Sequence, residues 1–294
     1  MTDPVPHKRV FSPASEEAET ARHATSSPQT EDPAYRLAFQ DMDFLLREDL
    51  RPVRFQLELL KPELLLDEAN IASTFVFYGS ARIPEPSKAD ALIQAAATDH
   101  QRSIAERLKA KSKYYDEARK LARMASRVEP DEEGKKQFVV CSGGGPSIME
   151  AANRGAVDEG KDSIGLNIVL PHEQLPNPYV TPSLSLQFHY FALRKMHFLI
   201  RARAVAVFPG GFGTFDECFE LLTLIQTGKV KPLPIMLFGR EFWERVMSFE
   251  GLVEEGTIAP DDLDLFKFVE TAEEAWDHVC DHYSASAPEL GCAK

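Results

Sequence analysis

No uninterrupted apolar run in this 294-residue chain approaches the length of about 18 residues that a membrane-spanning helix needs. The opening residues, up to about position 30, alternate Pro, Ser, Glu and Thr without an apolar stretch, so no secretory signal is expected and the cytoplasm is the expected compartment. Cysteine is scarce. The four, Cys141, Cys218, Cys280 and Cys292, are too scattered to suggest a metal site or a redox pair, and the first two sit in apolar surroundings as expected buried fillers. Basic residues are outnumbered, 33 against 46 acidic ones, and the net charge of −13 leaves no basic stripe for a nucleic acid. A small anion remains compatible, because local dipoles and one or two arginines dominate within a Debye length, roughly 8–10 Å. The balance of 44% hydrophobic and 27% charged residues is that of a globular domain.

Against these absences stands one dense stretch, Val207-Phe208-Pro209-Gly210-Gly211-Phe212-Gly213-Thr214-Phe215-Asp216-Glu217. An apolar run over 204–208 meets a proline and three glycines, then opens into an apolar helical pattern. That order reads as strand, tight turn, helix. Glycines let backbone N–H groups approach a ligand, and the helix adds the positive end of its dipole, so a phosphate or other anion is the expected occupant. The lysine that a Walker loop places after its last glycine is missing, and the spacing is not the dinucleotide G-x-G-x-x-G.

Two further strand ends carry glycine. A buried strand at 138–142 leads into Gly143-Gly144-Gly145-Pro146 and a helix, and a strand at 74–78 ends at Gly79-Ser80-Ala81-Arg82. Three such turns predict a parallel sheet whose carboxyl edge holds a ligand. A structural alternative exists at two of them. Thr214 with Glu217, and Ser147 with Glu150, have the spacing of a capping box, in which both side chains serve the backbone alone.

The glycine run 143–145, the pair Arg194-Lys195 and the stretch 209–217 together resemble the signature of the LOG family, whose pattern P-G-G-x-G-T-x-x-E is matched at every fixed position. The resemblance covers roughly 74–250. It implies a phosphoribohydrolase that releases the base from a nucleoside 5′-monophosphate, such as AMP or a cytokinin riboside 5′-monophosphate. It further implies a Rossmann-like fold, no cofactor, and assembly as a homodimer or larger homo-oligomer. Arg194 and Glu217 are the implied catalytic pair. Gly79, Ser80, Gly143, Gly144, Gly145, Lys195, Gly210, Gly211, Phe212, Gly213 and Thr214 are the expected phosphate- and substrate-binding set.

Along the chain, 1–33 is rich in proline and polar residues and is expected to be a disordered tail. A helical arm is expected over 34–70, a Rossmann-like doubly wound α/β domain over 71–285, and a tail over 286–294. Within the domain the pattern predicts a long helical region at 88–127, helices at 147–159, 188–202, 214–228, 241–249 and 272–283, and strands at 163–170, 204–208, 234–238 and 265–269. The stretch 83–113, rich in Ala, Lys and Gln, is absent from short family members and reads as an inserted surface helix, a lid or an oligomer contact. The loop 171–187 is also long.

Cleaving an N-glycosidic bond passes through a sugar with cationic character, and needs a carboxylate beside it, a route for a proton to the base, and a hold on the phosphate. Glu217 suits the first task. Arg194, in a mostly apolar helix, needs an anionic partner, either a structural acid or the motif glutamate. Lys195 is expected toward the substrate's rim or solvent. Weaker candidates are Arg82 and Glu173 for substrate contact, Glu150 as a cap, His189 and His197 as packing residues, and Thr223 and Gln226 beside the base or in the core. Two other functions are weighed: a non-catalytic nucleotide or molybdenum-cofactor carrier of similar fold, and a lysine decarboxylase. The second fails on chemistry, because no lysine motif for a pyridoxal phosphate Schiff base is present.

Overall fold

The computed structural model describes residues 12–171 and 175–284, and the chain divides into two compact units, 1–58 and 59–294. In the first unit, α1 (Ala14–Arg22), α2 (Pro28–Glu31) and α3 (Met42–Leu45) are short, and no described residue up to Glu58 is buried. The region expected as a tail thus holds a nine-residue helix, none of whose residues is buried. Helix α4 (Arg51–Glu68) runs across the boundary between the units; Pro62 and Leu66 are its buried residues.

The second unit is an α/β fold with a seven-stranded parallel sheet in the order β4-β3-β2-β1-β5-β6-β7. Its strands are β1 (Thr74–Tyr78), β2 (Val139–Ser142), β3 (Ser163–Ile168), β4 (Ser185–Phe188), β5 (Ala202–Val207), β6 (Ile235–Phe238) and β7 (Lys267–Val269). β1, β2 and β6 are buried at every position, which is why they read as continuous apolar runs. Between them lie α5 (Pro86–Gln94), α6 (Asp99–Lys111), α7 (Lys113–Ser126), α8 (Ile148–Asp158), α9 (Phe191–Ile200), α10 (Phe212–Gln226), α11 (Arg240–Val246) and α12 (Phe249–Glu254), and α13 (Ala272–Tyr283) follows β7. One core layer joins Phe75 and Phe77 of β1 to Leu121 of α7, Ile148 of α8 and Val279 of α13. On the other face, Phe198 of α9 meets the ring of Tyr78 edge-on at 5.1 Å.

Several expectations need correction. The long helical region is three helices: Thr98 and Gln101 form a capping box that starts α6 afresh, and Ser112, whose hydroxyl donates to the Lys109 carbonyl, ends it before α7. The loop expected over 171–187 contains β4, which pairs in parallel with β3 from Gly165↔Ser185 to Ile168↔Phe188. Its alternation is the sequence signal for the strand: Leu186 and Phe188 are buried, Gln187 is exposed. The helix expected at 188–202 accordingly begins at Phe191. Ser248, accepting a hydrogen bond from the Gly251 N–H, divides the helix expected at 241–249. Cys141 and Cys218 are buried free thiols, whereas Cys280 is disulfide-bonded, so spacing along the chain was a poor guide to pairing. Cys292 and the expected tail 286–294 lie outside the described residues.

Candidate active site

The chain leaves β1 toward β2 on one side and later returns through β5 on the other, so the strand order reverses between these two neighbours. At such a switch point the loops beyond the carboxyl ends diverge and leave a crevice. Here it is a cleft of about 1010 Å³ whose wall includes Gly79, Ser80, Gly143, Gly145, Arg194, Glu217 and the whole stretch 209–215. All three glycine turns therefore meet at one site. The Ser80 N–H donates to the Pro209 carbonyl at 3.1 Å and fixes the first turn to the third.

Why glycine recurs is visible at two positions. A Cβ on Gly210 would stand 2.1 Å from Thr214 Oγ1, so the turn folds back on its own helix too closely for any side chain. A Cβ on Gly143 would stand 2.6 Å from Arg194 Nη2, so the backbone of the second turn seats the guanidinium. Gly211 and Gly213 differ: a Cβ there meets nothing within 4 Å, and the space beside them is open to a ligand. Thr214 is buried, while Phe212 between them is 97% exposed. Gly144 is missing from the cleft wall among the described residues; it lies beneath the Asn167 side chain, and its carbonyl accepts from the Asn177 N–H at 2.8 Å.

Arg194 and Glu217 come together as expected. Arg194 Nη1 donates to Glu217 Oε1 at 3.0 Å, and Arg194 Nε donates to the Leu166 carbonyl at 2.7 Å, which aims the guanidinium from the end of β3. Both side chains are nearly buried, at 10% and 13% exposure, and both reach the cleft. Burial pushes the Glu217 carboxyl up to about 7; Arg194 opposes that rise and Asp216 adds to it. A carboxyl group held near neutrality in a cleft suits acid, base or cation-stabilising work.

The capping alternative fails at both turns. Helix α10 begins at Phe212 with Gly211 as its cap residue, so Thr214 and Glu217 lie inside the helix and no side chain caps it. Ser147 donates its hydroxyl to the Ile83 carbonyl instead of capping α8, and Glu150 accepts from the Tyr115 hydroxyl at 3.1 Å. Lys195 also departs from expectation: it binds Asp216 at 3.0 Å and Glu220 at 3.1 Å, away from the cleft wall. Two acids one helical turn apart hold it there.

The remaining candidates separate clearly. Arg82 is exposed on the cleft wall. Thr223 and Gln226 are exposed and off the wall, with Gln226 donating to Asp262 at 2.7 Å. His197 is buried against Phe188 and lies 3.4 Å from Glu63, whereas His189 is exposed beside Tyr190. Glu173 lies outside the described residues. Sequence reasoning missed Asn167, Leu108 and Lys111 on the wall. Nothing in the local pattern marks them, because topology alone brings them to the cleft. Among the described residues no group of three His, Cys, Asp or Glu could hold a metal ion.

Residues 149–279 match the family model described as "Possible lysine decarboxylase". A pyrimidine/purine nucleotide 5′-monophosphate nucleosidase of Escherichia coli strain K12 is 30% identical over 116 residues, which are 36% of this chain and 25% of that protein. A cytokinin riboside 5′-monophosphate phosphoribohydrolase of the LOG type from Arabidopsis thaliana is 26% identical, over 46% of this chain and 63% of its own length. The chain thus spans a quarter of the bacterial relative it matches and under two thirds of the plant one. The solved structure of a molybdenum cofactor carrier protein from Chlamydomonas reinhardtii is 13% identical, covers 72% of this chain and 99% of that one, and has a TM-score of 0.38. That likeness is too slight to weigh carrier against enzyme.

Proposed function

We propose that this chain, which belongs to the LOG family, is an N-glycosidase that cleaves a nucleoside 5′-monophosphate to free base and ribose 5-phosphate. The observation that carries the reading is the nearly buried Arg194–Glu217 pair facing the cleft beside the turn 209–214. The phosphate sits against the N–H groups of that turn and the dipole of α10, with Gly211 and Gly213 leaving room for it. Glu217, one turn into α10, faces the ribose. As the bond from the anomeric carbon to the base nitrogen breaks, its carboxylate stabilises the sugar cation, or draws a proton from the water that adds there. The base leaves with its electron pair and takes up a proton. Arg194 opposes the rise that burial imposes on the carboxyl and fixes its direction.

A carrier has no need of a buried guanidinium–carboxylate pair, so this observation favours the enzyme. AMP and a cytokinin riboside 5′-monophosphate are both candidate substrates. We further place the protein in the cytoplasm as a homodimer or larger homo-oligomer. The exposed apolar residues Val53, Leu57, Leu60 and Leu64 on α4, and Phe191, Met196 and Ile200 on α9, support the assembly. Incubating the purified protein with AMP, isopentenyladenosine monophosphate and adenosine, and separating free base by chromatography, tests the reading. Base release from a monophosphate, far faster than from adenosine, is expected; no release from either monophosphate overturns it.

A further inference from the structure

The stretch 83–113, read from sequence as a surface helix, in fact reaches the cleft: Leu108 and Lys111 of α6 form part of its wall. The helix is anchored, since Ala105 is buried and Leu108 packs against the main core. The Ser112 hydroxyl closes its carboxyl end by donating to the Lys109 carbonyl at 2.7 Å. Lys111 is therefore held in place by packing and is half-buried.

The charges of the site are unevenly matched. Arg194 is paired with Glu217, and Lys195 with Asp216 and Glu220. Among the described residues, Lys111 and Arg82, both on the wall, have no carboxylate in ion-pair contact; Lys111 Nζ donates to the Arg107 carbonyl at 3.1 Å. Burial, then the neighbouring Arg245, holds the Lys111 ammonium below its ordinary range, while Glu241 acts in the opposite direction. A partly desolvated cation beside a second cation is costly until an anion joins it. The turn 209–214 has no lysine of its own.

We propose that Lys111 is a substrate-binding residue that takes the phosphate of the nucleotide, so that the insertion supplies the cation the glycine turn lacks. The proposal rests on the reading that the substrate is a phosphorylated nucleoside. Calorimetric titration of ribose 5-phosphate into the parent protein, Lys111→Met and Lys109→Met tests it without turnover. Lys109 pairs with Asp90 and is the control. Affinity for ribose 5-phosphate should fall about tenfold in Lys111→Met, with a similar rise in KM for AMP and kcat within about twofold. Lys109→Met should match the parent, and Lys111→Arg should recover most of the affinity. Equal affinity and KM in Lys111→Met, or no binding of ribose 5-phosphate by the parent, overturns the proposal. Binding that depends on Lys111 without release of base from any monophosphate leaves this anion site standing and removes the N-glycosidase reading.

Discussion

Arg194 and Glu217, on separate helices and 23 positions apart, meet at 3.0 Å in a setting where both are nearly buried. Neither is placed by local helix chemistry. Arg194 is aimed by the Leu166 carbonyl and by the close backbone of Gly143, while Glu217 stands inside α10 with no capping duty. Truncating Glu217 would leave the guanidinium as an uncompensated buried charge, a cost of about 3–5 kcal/mol, whereas without Arg194 the carboxyl takes up a proton. Such a pair is an expensive way to join two helices, and its place on the cleft wall accounts for it.

Activity should follow the ionisation of Glu217. Its carboxyl lies near 7, raised chiefly by burial, and the carboxylate is the form that stabilises a sugar cation. kcat/KM for AMP should therefore fall about tenfold per pH unit below about 7 and level off above it. Initial rates from about pH 5 to about pH 9 check this. A profile flat across that window contradicts the assigned role.

Stability should carry the same signature with opposite sign. A carboxyl raised from 4.5 to about 7 on folding is protonated in the folded chain while the unfolded chain has released the proton. That contribution is fully present below the unfolded value and is lost as pH rises through about 7. Glu217→Gln does not titrate. Between about pH 5 and about pH 8 the parent should lose on the order of 1–3 kcal/mol relative to the variant, and any constant offset from the altered Arg194 bond cancels. Urea unfolding at the two pH values measures it; parallel behaviour of the two proteins would mean that burial does not raise this carboxyl.

Neighbouring glycines should respond differently to alanine. At Gly210 the new Cβ would lie 2.1 Å from Thr214 Oγ1, so Gly210→Ala should destabilise by about 2 kcal/mol or more through overpacking. At Gly211, whose φ is −101°, a Cβ meets nothing within 4 Å, and stability should stay within about 0.5 kcal/mol. The same methyl group fills space assigned to phosphate, so Gly211→Ala should weaken AMP binding. Thermal unfolding and AMP titration of both variants separate the effects, and normal AMP affinity in Gly211→Ala would remove the phosphate from this turn.

The legible part of this molecule was its sheet and its turns. β1, β2 and β6 are apolar throughout because both faces are covered, and the glycine turns after β1, β2 and β5 point to a ligand edge. The capping boxes that spacing offers as an alternative at α8 and α10 do not form. Ser147 and Thr214 have capping-box spacing, yet one reaches across to Ile83 and the other lies inside its helix, because three-dimensional neighbours outcompete a local motif. β4 was hidden because four residues give only two buried positions, Leu186 and Phe188, within a proline-rich stretch. Lys195, adjacent to Arg194 on a helix that turns neighbours to different faces, is expected from sequence at the substrate's rim or in solvent, and two acids of α10, Asp216 and Glu220, hold it off the cleft wall. Lys111 could not be found at all from its local pattern, since packing of α6 alone brings it to the cleft.

The central claim is that the Glu217 charge drives bond cleavage, and the direct measurement compares release of adenine from AMP by the parent and by Glu217→Gln at about pH 8, above the carboxyl's value of about 7. The substitution keeps the size and hydrogen-bonding shape of the side chain and removes only its charge. kcat should fall by at least about two orders of magnitude, while AMP still binds and the far-ultraviolet circular dichroism is unchanged. Near-normal release of adenine by Glu217→Gln would contradict the account.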